Sequence, residues 1–317
     1  MSRTLTGADT TYTFVYEDDG SFSQDPTTLT DTTPKIFGEE EDVSEPSRSN
    51  NAEQSVRPGS RGVSQLYETQ FEGETGVDFI MTGTDWVDFI TGSNGVSDIP
   101  KTGQIIEETI TEQGNVIQTV YTGVTATGLS IDVSVEDTVS IGLDFGYADE
   151  VVFEDVPTNS PFGEVGTQPE AGRIAHFGHS SLEVSVGSTT ARPRIQEASF
   201  TLNPSVEMEY ELGTRFPVAP AFYELQPDIS YSAQLNDSVE ADERTSAYGG
   251  TSSEPQEDMD SAIVSGALII DNGNTSLTID FAESLTDSYQ RNNVGNPEDA
   301  LEDDVDRVLK DVSITTA

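Results

Sequence analysis

Cysteine is absent from the 317 residues, so disulfides and thiolate-bound metals are excluded. Lysine is almost absent, occurring only at Lys35, Lys101 and Lys310. With 14 basic residues against 58 acidic ones, no basic patch exists that could neutralise phosphates. Nucleic-acid binding by charge is therefore excluded. No apolar run approaches the roughly 20 residues needed to cross a bilayer, so no membrane contact is expected. The start, Met1-Ser2-Arg3-Thr4-Leu5, lacks a charged segment leading into an apolar one. A protein made in the cytoplasm without an export signal is expected.

What is abundant is negative charge. The formal net charge is -44 and the sequence pI about 4.1. Self-repulsion of this size opposes compaction in dilute buffer. Salt relieves it, because the Debye length falls from about 10 Å at 0.1 M to about 3 Å at 1 M. Acidic excess with scarce lysine predicts a protein of a high-salt environment. Apolar residues make up 34%, which raises intrinsic disorder as the competing reading. Their arrangement argues for a fold, since they fall in short alternating runs between Gly, Asn and Asp.

Two regions are expected, residues 1–62 and 63–317. The first is polar and acidic, with one strand over Thr11–Tyr16, and reads as an extended arm or loop ordered by a neighbour. From residue 63 strands dominate. The clearest signal lies at 129–147, where Leu129, Ile131, Val133 and Val135 alternate with polar residues. After Glu136-Asp137, Val139, Ile141, Leu143 and Phe145 do the same. Period two in adjacent runs predicts an antiparallel hairpin with one dry and one wet face. Similar runs occupy 105–110, 115–121, 182–186, 195–212, 229–235, 263–270 and 276–281. Asp271-Asn272-Gly273-Asn274 predicts a tight hairpin turn, and loop insertions are expected near 148–177 and 236–261. Asp85 is expected to cap a short helical segment carrying Trp86, whose ring reads as core packing. One α-helix is expected after Asn296-Pro297, with Leu301, Val305, Val308 and Leu309 on one face. The fold class is all-β, an antiparallel sandwich or barrel with one short flanking α-helix and extended loops.

Catalytic patterns are thin. His176 and His179 stand three apart, but Gly178 and the loop setting argue for a plain pair of loop histidines. Ser180 and Ser181 lack the Gly-x-Ser-x-Gly elbow of a nucleophile. The runs Glu39–Asp42 and Glu302–Asp304 offer loose cation binding without the spaced loop of a dedicated site. No catalytic residue, cofactor or metal site is expected, and no enzymatic activity.

The order of elements carries more information. Tyr121-Thr122-Gly123 leading into the 129–145 hairpin resembles a block of the tail tube proteins of long-tailed, siphovirus-like viruses. Ile195–Asn203, followed by Tyr210-Glu211-Leu212-Gly213-Thr214 and Pro217, resembles a second block of that family. The likeness covers roughly 63–317 and departs in the acidic N-terminal region and both loop insertions. It implies a β-sandwich assembling as hexameric rings that stack through arms and loops into the tail of a virion. The salt-adapted composition points to a halophilic archaeal host. Tail terminator, tape-measure and baseplate-proximal proteins are the further partners implied, with viral DNA passing through unbound. An acidic lumen would repel phosphate, and some of Asp132, Asp144, Glu207, Glu209 and Glu211 are expected to line it. The alternative is another β-rich structural or adhesion protein of a virion or halophile surface.

Overall fold

The 129–147 hairpin forms as its patterning requires. Strand β7 (Val116–Ser134) pairs antiparallel with β8 (Ser140–Tyr147), placing Leu129 opposite Leu143 and Ile131 opposite Ile141. Glu136 makes the turn with φ +71°. The computed structural model describes residues 10–55, 65–92, 99–111, 115–156, 158–165, 172–186, 189–191, 194–234, 264–294 and 301–317. The other strands are β1 (Thr10–Tyr16), β2 (Glu39–Ser49), β3 (Ala52–Ser55), β4 (Gln65–Glu68), β5 (Glu72–Ile80) and β6 (Gly103–Ile110). They continue with β9 (Asp149–Val156), β10 (Ser180–Val186), β11 (Thr189–Ala191), β12 (Arg194–Glu209) and β13 (Ala219–Gln234). Last come β14 (Val264–Asp271), β15 (Ser276–Asn292) and β16 (Glu302–Thr316).

Fourteen strands join one antiparallel sheet in the order β11-β10-β14-β15-β16-β13-β12-β7-β8-β5-β2, with β1, β6 and β9 branching from the first half of β7. The branch point is Gly123. Its φ of +64° bends β7, and a Cβ there would lie 2.8 Å from that of Ala148. Beyond it β7 leaves β6 and β9 for β8 and β12. One dry row runs Phe79, Ile141, Ile131, Phe200, Ile229 across five paired strands, all buried. Each such side chain contributes about 1.5–3 kcal/mol. The sheet folds over so that Leu182 and Leu268 of its far limb meet Val133 and Ala198 of its middle, enclosing a shared core. An all-β sandwich results.

Residues 10–49 are woven into this body rather than held apart from it. β1 pairs with β6, and Phe14 and Phe37 are fully buried in the main core. β2 crosses the expected boundary at residue 62 to pair with β5. Within the expected 148–177 insertion, β9 pairs with β7; the 236–261 insertion lies outside the described residues. Trp86 is buried against Phe79, as read from sequence. Asp85 does not cap: the short 3-10 turn Val87–Phe89 has no side-chain cap, and Asp85 instead pairs with Lys35 at 3.2 Å.

The expected flanking α-helix requires correction. Asn296-Pro297 lies outside the described residues, and 302–316 is strand, paired with both β13 and β15. Leu301, Val305, Val308 and Leu309 have helical spacing, but Val308 is 52% exposed. The dry positions are instead Asp303, Val305, Arg307 and Leu309, which recur at period two. Two charges among them disguise the pattern. Asp303 is fully buried and accepts from Arg291 at 2.9 Å and from the Tyr289 hydroxyl at 2.9 Å. Arg307, 1% exposed, donates to the Tyr231 hydroxyl and to Thr286, each at 3.2 Å. The strand bends only at Asp311, whose φ is +53°.

Removing one side of a buried charge pair strands the other. Asp303→Ala is expected to destabilise the fold by about 3 kcal/mol, measured by denaturant unfolding at fixed molar salt. Unchanged stability would show that the pair does not hold β16 to β15.

Candidate functional site

The functional candidate is the wet face over the centre of the sheet. Paired residues share a face, so the register lays out its rows directly. One row runs Asp42, Asp78, Gly142, Ser130, Thr201, Asp228 from β2 to β13. The next runs Ser140, Asp132, Ser199, Ser230, Asp306 from β8 to β16. On the other side Gly76, Asp144 and Gly128 form a third. Carboxylates stand among Gly, Ser and Thr, and these three rows hold no lysine or arginine.

Glycine lets the acids lie close to the backbone. A Cβ on Gly142 would sit 2.7 Å from Asp78 Oδ1 and 2.6 Å from Ser130 Oγ. On Gly128 it would meet Asp144 Oδ2 at 2.8 Å, and on Gly76 Asp144 Oδ1 at 3.1 Å. The surface is therefore shallow, acidic and hydroxylated. Burial, then the charges of Asp144, Asp42 and Asp132, push the Asp78 carboxyl above its ordinary range. Asp228 is raised likewise, by burial first and Asp287 second.

At one end the β12–β13 hairpin curls over this face. Val206 pairs with Phe222 and Glu209 with Ala219 after a bulge at Pro204. Met208 reaches Gly146, and the Tyr210 hydroxyl donates to the Phe71 carbonyl at 2.6 Å. A cleft of about 800 Å³ opens beneath, bordered by Asp144, Glu74, Thr127 and Glu207. Of the five candidate lumen acids, Asp132 and Asp144 share the sheet face. Glu207 joins Asp144 at the cleft and is hydrogen-bonded to Tyr223. Glu209 and Glu211 lie out on the hairpin, exposed. Sequence reading missed Asp42, Asp78, Asp228 and Asp306. Asp78 does alternate with Val77 and Phe79, but which acids become neighbours depends on register between distant strands.

The remaining candidates do not assemble chemistry. His176 and His179 stack at 3.8 Å in a 3-10 turn, each Nδ1 accepting a backbone N–H, from Gly178 and His176 respectively. Each neutral ring then carries its proton on Nε2, which leaves no lone pair for a metal. Ser180 and Ser181 simply open β10, opposite Ile270 and Ile269. Along Glu302–Asp304 alternate residues point to opposite faces, so the three carboxylates cannot converge. Among the described residues no group of three or more His, Asp or Glu is placed to hold a metal.

A raised folded-state value means the folded chain binds protons more readily than the unfolded one. The stability from Asp78 and Asp228 is thus full below about pH 4 and lost as pH rises through their folded values. At low salt, the thermal midpoint is expected to rise as pH is lowered from neutral toward about 4. Molar salt, or Asp78→Asn, should flatten that slope. A midpoint that falls over this interval at low salt would contradict the account.

No protein-family model matches the chain, and no curated protein is similar to it in sequence.

Proposed function

We propose that this chain is a structural subunit of a viral tail tube, in which copies close into rings with the acidic sheet face turned to a central channel. The observation that supports this is the paving of that face: carboxylates set among Gly, Ser and Thr over adjacent strands, with no cation in the rows that carry them. Such a wall repels phosphate and offers it no guanidinium or ammonium partner. At molar salt the repulsion reaches only about 3 Å, so the lack of adhesive cations matters more than long-range force. DNA would slide along it without being held.

The fold suits a scaffold. The strands of the sheet's centre are long, and their dry rows continue from one strand to the next, which gives a stiff wall. The likeness to tail tube proteins adds the ring of six and the stacking, and the composition adds a halophilic setting.

Electron microscopy and sedimentation of the purified protein across a salt series test this reading. Stacked rings with an open channel are expected at molar salt, with dissociation as salt is removed and charge repulsion returns. A chain that stays monomeric at every salt concentration would sink the proposal.

A further inference from the structure

The 158–165 segment is held against the β6–β7 pair by polar contacts as well as by packing. Phe162 and Val165 are buried in a small second core with Val15, Leu29, Ile106 and Val120. Ser160 stands between them and β9, half-buried, and the ring of Pro161 restricts it to extended backbone. Its hydroxyl oxygen accepts from the Phe162 N–H at 3.2 Å and donates its own proton to the Gln118 carboxamide oxygen.

Gln118 is fully buried on β7, and Glu108, directly opposite on β6, is 2% exposed. Gln118 Nε2 donates to Glu108 Oε2 at 2.7 Å and to the Gly163 carbonyl at 2.6 Å. Two acceptors at one end and a donor hydroxyl at the other leave the carboxamide a single orientation. Glu108 Oε2 is itself held by the Val165 N–H at 2.8 Å. A hydroxyl, an amide carbon and a carboxylate touching the amide nitrogen are thus fixed together, with the amide and the carboxylate buried.

A hydroxyl oxygen hydrogen-bonded to a carbonyl lies about 3–3.5 Å from the carbonyl carbon, the separation from which attack begins. Groups locked in that arrangement react as if at very high concentration. We infer that Ser160 and Gln118 join as an intramolecular ester. The Ser160 Oγ–Gln118 Cδ bond forms and the Cδ–Nε2 bond breaks. The hydroxyl proton ends on the nitrogen, which leaves as ammonia, and Glu108, in contact with that nitrogen, delivers it. Hydroxyl and amide become ester and ammonia, so no oxidant or further reactant is needed. The bond joins positions 42 apart in sequence. It staples the 158–165 segment to the centre of β7 in a chain that has no cysteine for a disulfide.

Intact-mass spectrometry of the purified full chain reads the bond without any variant. The chain is expected to be lighter than its sequence by one ammonia, with tandem spectra placing the loss on a linked peptide pair that holds Gln118 and Ser160. Mild alkali, which cleaves esters and spares amides, should separate that pair. Ser160→Ala should carry the full sequence mass, and Glu108→Gln should do so while folded. A folded unmodified chain of full sequence mass overturns the proposal, as does an ammonia deficit that survives Ser160→Ala.

Discussion

Carboxylates crowded on one face of a sheet repel one another, and the apolar face beneath holds them in place. Asp132 stands between Ile131 and Val133, Asp78 between Val77 and Phe79, and Asp144 between Leu143 and Phe145, all six neighbours buried. Magnitudes decide that the arrangement holds. Two unit charges about 4 Å apart in water repel by about 1 kcal/mol, whereas each buried Ile or Phe contributes about 1.5–3 kcal/mol. Period two alternates one with the other along these three strands. The charge of the wet face is thus tolerated residue by residue, and salt lowers the opposing term further.

The same residue type serves a second purpose inside. Glu17 is buried, and its carboxylate accepts from the backbone of Ser23, Gln24 and Gly123 and from the side chains of Thr102 and Gln104. It ties the 18–24 loop to β6 and to the bend of β7. Burial still pushes its pKa upward against those donors. Glu108, also buried, accepts from Gln118 at 2.7 Å and from the Val165 backbone at 2.8 Å, and so fastens the 158–165 segment. Glu17 and Glu108 are well-supplied internal staples. The carboxylates of the wet rows lie on the sheet's surface, where Asp306 accepts from the Ser288 hydroxyl.

Alternation made the β7–β8 hairpin, the β14–β15 turn and the all-β class legible in the sequence. The failure at 302–316 has a definite cause. A strand whose dry face holds Asp303 and Arg307 shows no apolar alternation, and the leucines and valines that remain fall at helical intervals. The burial of residues 10–37 was hidden for a related reason. Phe14 lies in the one strand expected there and Phe37 follows Ile36, but their partners, Phe89 and Phe145 among them, are distant in the chain. The acidic face was legible only in part. Asp132 and Asp144 sit in clean alternation, while their neighbours Asp42 and Asp78 are set by strand pairing that no local pattern encodes. Glu207, Glu209 and Glu211 alternate equally well, yet the bulge at Pro204 carries them off the sheet onto the hairpin.

A chain of such charge would face a particular difficulty in assembling, because every copy repels every other. Contacts built from ion pairs fade in the salt that makes approach tolerable, as the Debye length shrinks toward about 3 Å at 1 M. Apolar contacts respond in the opposite sense, since salts excluded from protein surfaces strengthen burial. An association surface suited to concentrated salt should therefore be small, apolar and set apart from the acidic rows. Exposed apolar side chains off the acidic rows, Leu212 and Val218 among them, are of this kind. In the proposed assembly, charge would set where copies do not touch, and exposed apolar side chains would set where they do.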